Sequence, residues 1–111
     1  MARSQQPTLA RMVAQPAPLV PLGRVLTPAQ LTAIRSVMRL FVEDDLARGV
    51  TASELICCAV CGRRKAAPGA VQYEQWLFCN PCATDYEIAR MRALVRTPAD
   101  YLAVGARSAS A

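Results

Sequence analysis

Apolar side chains between residues 27 and 49 recur with the spacing of an amphipathic helix. Thr27 is suited to the N-cap, and Pro28 to the first helical position, where its missing N–H costs nothing. Gly49 is a typical residue just past a helix end. The pattern predicts a helix over residues 28–48. Its apolar stripe covers nearly half of the circumference and consists of Leu31, Ile34, Val37, Met38, Phe41, Val42 and Leu46.

An apolar face this wide needs a covering surface. The rest of the chain can pack on part of it, and a protein partner or a second copy of the chain could cover the remainder. We therefore expect a protein partner or a homodimer through helix 28–48. The residues expected to make this contact are Leu31, Ile34, Met38 and Phe41.

The middle of the chain predicts a hairpin and a second helix. Pro68 and Gly69 suit the centre of a type II turn, and the β-prone run 71–78 predicts a hairpin with one strand leading to Cys79. Asn80 followed by Pro81 predicts a helix start, with Cys82 in the first turn and an apolar stripe of Ile88, Met91 and Val95.

The flanking segments carry weaker patterns. Thr51 and Glu54 have the spacing of a capping box, which predicts a short helical turn to about Ile56. Thr97 followed by Pro98 predicts a short C-terminal helix over 98–105, with a frayed tail over 106–111. Residues 1–26 hold four prolines and no sustained period, so we expect a flexible, disordered arm with apolar side chains that could bind a partner or the body.

Composition indicates that this small chain needs a stabilising cross-link. The hydrophobic fraction is 53%, but much of it is Ala and Val, and the chain has only one Trp, two Phe and three Tyr. A core of small side chains buries little area, so a metal or a disulfide is expected. Five cysteines cannot all pair within one chain, which disfavours a disulfide framework.

The cysteine spacing supplies that cross-link. Cys58 and Cys61 form one C-x2-C unit, and Cys79 and Cys82 form another after seventeen intervening residues. Two such units at this separation are typical of a tetrahedral four-cysteine zinc site. Four thiolates leave no open position, and the chain has no His, so the predicted Zn²⁺ is structural. The first pair, a hairpin and a helix that carries the last ligands together predict a treble-clef finger in a small α+β fold, with the zinc-finger module over 50–97.

Other chemistries fit these cysteines less well. A rubredoxin-like iron centre needs both C-x2-C units in loops, and a redox-active C-x-x-C is typical of a βαβ setting that is absent here. Cys57 is the remaining thiol. It could replace Cys58 as a ligand, but the resulting C-x3-C spacing is poorer, and such a residue is more often a small buried apolar group.

Charge and targeting patterns narrow the choice of partners. Of the net charge of +5, residues 1–42 carry five Arg and no acid, while the remainder holds eight basic and eight acidic residues. A zinc ion with four thiolates lowers the total to about +3, which is mildly basic for a nucleic-acid binder. No apolar run nears the ~20 residues that span a bilayer, and no secretory h-region is present. We expect no membrane partner and a cytoplasmic location, although the acid-free start also resembles an organellar transit peptide.

The segment from Cys58 to Arg96 resembles GATA-type zinc fingers. The shared features are the seventeen-residue spacing, Gly62, Pro68, and the series Leu77, Cys79, Asn80, Cys82 and Tyr86. The same spacing occurs in the DksA/TraR family of RNA-polymerase-binding regulators, and a near match heads the zinc domain of the Clp unfoldase ATPase subunit. The Trp-Arg-Arg and basic tail of GATA fingers and the long coiled coil of DksA are absent. The resemblance implies a zinc finger with a binding role and leaves the class of partner open.

Two function hypotheses follow from these observations. The first is a small regulatory protein that contacts nucleic acid or the transcription machinery, and the second is a zinc-stabilised adaptor or self-associating module. The contact residues for the first would be Arg63, Arg64, Lys65, Arg90, Arg92 and Arg96. The same cations would also be favourable beside a site of charge −2 or at a helix C-terminus. We expect no enzyme, because no general base, nucleophile pair or open metal position is evident.

Overall fold

The computed structural model describes the backbone of residues 23–110 and the side chains of residues 23–104. Over these residues the chain forms a small α+β fold. The elements in chain order are α1 (Pro28–Ala47), β1 (Leu55–Cys57), β2 (Arg64–Ala66), β3 (Val71–Tyr73), β4 (Trp76–Phe78), α2 (Asn80–Met91) and α3 (Pro98–Ser110). The predicted disordered arm lies, up to residue 22, outside the described residues. None of the described helices combines the length and hydropathy needed to cross a membrane.

The long helix α1 forms where the apolar pattern predicts it. The Thr27 hydroxyl accepts a hydrogen bond from the backbone N–H of Gln30, whose side chain accepts one from the N–H of Thr27, so a capping box closes the start. Arg48 is the C-cap, and Gly49 follows with a φ of 97°. Local sequence therefore determines both ends of this helix.

Three of the residues just before α1 contact the rest of the protein, although the sequence analysis assigned them to the flexible arm. The backbone N–H of Arg24 donates to the carbonyl of Arg92, just after α2. Leu26 is only 8% exposed. Gly23 has a φ of 78° and lies against Leu94, where a Cβ would be 2.9 Å from the Leu94 Cδ2 atom.

Two short antiparallel hairpins follow α1, and the first of them revises a prediction. In the first, β1 pairs with β2, with Cys57 opposite Arg64. The predicted helical turn up to Ile56 is wrong: Glu54 does accept a hydrogen bond from the Thr51 N–H, but it closes a turn that leads into β1. In the second hairpin, residues 71–78 form both strands, β3 and β4, and the chain turns at Glu74, which has a φ of 54°.

The second helix, α2, begins one residue earlier than predicted and ends sooner. Cys79 is its N-cap and makes no side-chain cap hydrogen bond, so the predicted N-cap role of Asn80 is wrong. Cys82 lies in the first turn, as predicted. The helix ends at Met91, so Val95 and Arg96 lie beyond it.

The last helix, α3, begins as predicted and extends further. Thr97 accepts a hydrogen bond from the N–H of Asp100, and the Asp100 carboxylate accepts one from the N–H of Thr97. The backbone is helical to Ser110, whereas Gly105 was the expected end and 106–111 the expected tail.

The core lies where α1 and α2 meet the second hairpin. Its buried members are Met38, Phe78, Ala83 and Tyr86. The rings of Tyr73 and Tyr86 pack edge to face, with centroids 4.9 Å apart, and Tyr101 of α3 packs against Tyr86 at 5.5 Å. Tyr73 and Trp76 also pack against this core.

The turn before β3 joins both helices. The N–H of Ala70 donates to the carbonyl of Ala67, and Gly69 at the third turn position has a φ of 81°, as the predicted type II turn requires. The Gly69 N–H donates to the Asp45 carboxylate of α1 at 2.8 Å. Its carbonyl accepts a hydrogen bond from the Asn80 side chain of α2 at 3.0 Å.

Candidate metal centre

The four predicted ligands come together in one cluster. The sulfur atoms of Cys58, Cys61, Cys79 and Cys82 all lie within 4.8 Å of one another. A tetrahedral site with Zn–S bonds of about 2.3 Å has sulfur atoms about 3.8 Å apart, so a small contraction of the cluster brings all four sulfurs to one ion. The cluster could therefore hold a metal ion.

The first pair is held by the β1–β2 hairpin. Cys58 follows β1, and Cys61 lies in the tight turn that leads to β2. The N–H of Gly62 donates to the Cys58 carbonyl at 2.9 Å, and Gly62 has a φ of 69°, which favours glycine. The N–H of Cys58 donates to the Arg63 carbonyl at 2.9 Å, so the turn is closed by two backbone hydrogen bonds.

The second pair is held by the start of α2. Cys79 follows β4 and is fully buried, and Cys82 lies one helical turn later. The N–H of Ala83 donates to the Cys79 carbonyl at 2.8 Å, which fixes the first turn. The N–H of Ala59 donates to the Leu77 carbonyl at 2.9 Å and joins the first pair to the strand that carries the second.

Backbone N–H groups donate to the sulfur atom of Cys58. The Sγ atom of Cys58 accepts hydrogen bonds from the N–H groups of Val60 and Cys79, each at 3.3 Å. Burial of the Cys58 thiol opposes its ionisation, but these donors and the N–H of Cys61 outweigh burial and lower its pKa to about 7. The site is therefore prepared to hold negative charge on Cys58, as a metal thiolate site requires.

The other buried thiols lose their protons less readily. Burial raises the pKa of Cys79, and the neighbouring Cys58 raises it further. Burial also raises the pKa of Cys82, together with its contacts to Cys79 and Cys58. A divalent cation among these sulfurs would remove the cost of placing several thiolates together, because coordination deprotonates thiols outright.

The donor set fits zinc. All members of the cluster are thiols, and soft thiolate ligands favour zinc or iron over calcium and magnesium. Within the part of the chain that the structure describes, no His or carboxylate joins the cluster. Four thiolates would fill a tetrahedral shell, so the metal would act as a structural cross-link between the first hairpin and α2.

Cys57 lies outside this cluster. Its side chain is exposed on β1, whereas that of Cys58, one residue later, is 2% exposed. Successive side chains on a strand point to opposite faces, which explains the difference. The expectation that Cys57 is buried is wrong.

The structure distributes the six predicted cationic contacts over several environments. Arg63 and Arg64 are exposed beside the metal cluster. Lys65 is half-buried and lines a hollow of about 410 Å³ together with Val42 and Leu46.

Arg90 contacts the Glu87 carboxylate with two nitrogens, at 3.1 and 2.7 Å, and this hydrogen bonding raises the pKa of Arg90.

The remaining two cations lie near the end of α2. Arg92 is its C-cap and is exposed, and its carbonyl accepts the Arg24 N–H. Arg96 is exposed in the segment between α2 and α3. The second predicted trio therefore does not form a stripe along one helix.

An apolar groove runs between α1 and α2, with β3 as its floor. Its volume is about 470 Å³, and its wall on α1 includes Ile34, Val37 and Phe41. Val37 is 49% exposed and Phe41 43% exposed. Met91 of α2 closes the opposite side. A surface of this kind is typical of a binding site for an apolar segment.

The polar groups of the groove satisfy one another. The Tyr73 hydroxyl donates to one Glu87 carboxylate oxygen at 2.6 Å, and Arg90 donates to the other. Burial and the neighbouring Glu87 raise the pKa of Tyr73, so the phenol stays neutral. The groove therefore presents an apolar surface with one ion pair, between Glu87 and Arg90, at its side.

The predicted partner-contact residues divide between this groove and the core. Ile34 and Phe41 line the groove, whereas Met38 is 4% exposed and belongs to the core that forms the groove's base. Leu31 lies beside Leu26 and Arg92, outside the groove. Sequence reasoning did not identify Val71, Tyr73 and Met91 as groove residues, because their proximity to α1 depends on how the elements pack.

Comparison with known proteins gives no family for this chain: no family model, no curated protein and no solved structure matches it. The class that the fold and the site define is therefore a small α+β protein with a four-cysteine cluster that could bind zinc or a similar metal.

Proposed function

We propose that this chain is a zinc-stabilised module of treble-clef architecture. The order of a cysteine-bearing hairpin, a second hairpin and a helix that carries the last cysteine pair supports this architecture. Cys58, Cys61, Cys79 and Cys82 would hold one Zn²⁺, which supplies a closed structural cross-link. The two sheets have strands of only three residues, so the metal would provide much of the stability of this part.

The proposed activity is protein binding by an adaptor rather than catalysis. The observation that carries it is the apolar groove between α1 and α2, whose α1 wall leaves Val37 and Phe41 about half exposed. Leu40 on the same helix is 57% exposed and extends this apolar surface. Because the charged groups at its side are already paired, the groove favours a partner that offers apolar side chains.

A nucleic-acid or transcription-machinery contact is the second candidate. It is favoured by Arg63 and Arg64, which are exposed beside the cluster and make no ion pair within residues 23–104. Such cations can contact phosphates, and their binding would weaken strongly with salt. The observations favour this candidate less, because Arg90 is paired with Glu87 and Lys65 is half-buried.

Affinity capture with three matched variants tests the two candidates. Phe41→Asp places a charge in the groove, and the double variant Arg63→Glu, Arg64→Glu reverses the exposed cations. Leu55→Asp is the control, because Leu55 is an apolar side chain, 50% exposed, outside the groove. Circular dichroism and metal content would verify that each variant is folded.

The adaptor proposal predicts that specific co-purified proteins are lost with Phe41→Asp and retained with the other two variants. Loss with the Arg variant alone, together with salt-dependent binding to duplex DNA, would instead support the nucleic-acid candidate. If Phe41→Asp and Leu55→Asp capture the same proteins as the natural chain, the groove does not bind a partner and the adaptor proposal fails.

A further inference from the structure

The groove between α1 and α2 lies beside the point where the described chain begins. Gly23 contacts Leu94, and Arg24 bonds to the carbonyl of Arg92. Arg92 directly follows Met91, which closes one side of the groove. Residues 1–22 therefore join the body at the end of the groove formed by the C-terminus of α2.

The sequence next to this point matches the groove in chemistry. Residues 19–22 are Leu, Val, Pro and Leu, and they carry no charge. The groove offers apolar walls, and its Glu87 and Arg90 satisfy each other. An uncharged apolar segment can therefore bind in the groove without burying an unpaired charge. A charged segment would bury a charge that has no partner there.

The length of residues 19–22 also matches the length of the groove. The groove wall on α1 extends from Ile34 to Phe41, which is about 10 Å along a helix axis. Four residues in the extended conformation that proline favours cover about 12 Å. The segment is tethered only a few residues from the site, so its effective concentration there is in the millimolar range, which favours docking within the chain.

We propose that residues 19–22 of the same chain dock in the groove and compete with the external partner. The proposal rests on the proposed function only for the competition, because docking itself requires the groove alone. Leu19 and Leu22 would cover the exposed faces of Val37 and Phe41, and Gly23, with a φ of 78°, would provide the change of chain direction at the junction.

Paramagnetic relaxation in the full-length, zinc-loaded chain tests this docking. Cys57→Ser removes the thiol that lies outside the metal cluster, and the exposed Cys61 is held by the metal. Ala17→Cys then provides one site for a nitroxide label next to the segment. Docking predicts a loss of methyl signal intensity at Val37 and Met91 but not at Val104, which is exposed on α3. The loss should persist on dilution and should disappear when Leu19→Asp and Leu22→Asp are added. A label at Ser4→Cys, far from the segment, is the matched control and should give a smaller loss.

Three results would overturn the proposal. Equal signal loss at Val37, Met91 and Val104 would mean that the arm has no fixed position. Signal loss that falls on dilution would mean that a second copy supplies the segment. Signal loss that survives Leu19→Asp and Leu22→Asp would mean that other residues dock. The proposed function fails separately: if the arm docks but Phe41→Asp captures the same proteins as the natural chain, the groove binds only its own arm.

Discussion

The side-chain amide nitrogen of Asn80 lies 2.9 Å from the backbone carbonyl oxygen of Met38, 42 positions earlier in the chain. The same nitrogen donates to the Gly69 carbonyl at 3.0 Å. One side chain at the start of α2 thus connects the middle of α1 with the turn before β3. Because Asn80 lies between Cys79 and Cys82, this connection also holds the second cysteine pair against α1.

Replacing Asn80 by Ala should destabilise the fold. The substitution removes both hydrogen bonds and leaves the partly buried Gly69 carbonyl without this donor, which costs about 1–3 kcal/mol. Gln72→Ala is the matched control, since Gln72 also donates its side-chain amide to a backbone carbonyl, that of Glu74, but at an exposed site. Urea unfolding of the zinc-loaded proteins should show a clear decrease in free energy for Asn80→Ala and little change for Gln72→Ala. Equal effects would mean that the connection contributes nothing specific.

Gly69→Ala should destabilise the protein more than Gly49→Ala. Both glycines have positive φ, so both substitutions introduce backbone strain. A Cβ on Gly69 would also overlap the Cγ2 atom of Val42 and lie 2.7 Å from the Asn80 Nδ2 atom, whereas one on Gly49 has no atom within 4 Å. The clash adds about 1–3 kcal/mol, which thermal unfolding can resolve. Equal melting temperatures for the two variants would contradict the close packing at Gly69.

Serine substitution at any of the four clustered cysteines should reduce bound zinc and unfold the finger. The natural chain should hold one zinc per molecule, and a chelator should remove both the metal and the near-ultraviolet signal of Trp76, because structural zinc contributes on the order of 10 kcal/mol to such modules. Acid should release the metal too, since protons compete for the thiolates. Cys57→Ser is the control and should retain the metal, since Cys57 lies outside the cluster. A chain that stays folded after complete metal removal would refute a structural metal.

Tyr73 should make stability sensitive to high pH. Burial and Glu87 raise its pKa in the folded state, so the folded chain holds this proton more tightly than the unfolded chain. Its contribution is therefore fully present below the ordinary tyrosine pKa of about 10 and is lost as pH rises above that value.

Tyr73→Phe provides the measurement. At neutral pH the variant loses the hydrogen bond to Glu87, which costs about 1 kcal/mol, while Arg90 remains as a partner of that carboxylate. Above pH 10 the difference in unfolding free energy between the two proteins should shrink. Tyr86 and Tyr101 are present in both proteins and cancel in the comparison. A difference that stays constant with pH would show that Tyr73 does not retain its proton.

Features that depend on nearby residues could be predicted from the sequence. The capping box and apolar period of α1 lie within the helix itself, and the cysteine spacing limits how the four sulfurs can meet. Local chemistry was equally informative at the Gly69 turn, where a positive φ is needed.

Features that depend on residues far away in the sequence could not be predicted from the sequence. Residues 55–57 follow a local capping pattern, but they become a strand because residues 64–66 supply backbone hydrogen bonds. Asn80 has the local chemistry of an N-cap, yet its side chain bonds to α1 and to the turn before β3. The groove exists because Val37 and Phe41 of the apolar stripe on α1 stay partly exposed beside α2, and no pattern within α1 indicates which residues of the stripe are covered.

Because Cys57 is exposed and lies outside the cluster, thiol alkylation can report whether a molecule holds a metal ion. Cys57 and Cys61 are both exposed, but with a metal held by the four clustered sulfurs Cys61 is coordinated, and Cys57 is the one thiol left to react readily with an alkylating reagent. A metal-free, unfolded chain exposes all five thiols. The mass added by a brief alkylation would then distinguish loaded from empty molecules one by one, even in a mixture. An odd number of thiols also means that oxidation of an emptied chain leaves one sulfur over, ready to cross-link two molecules.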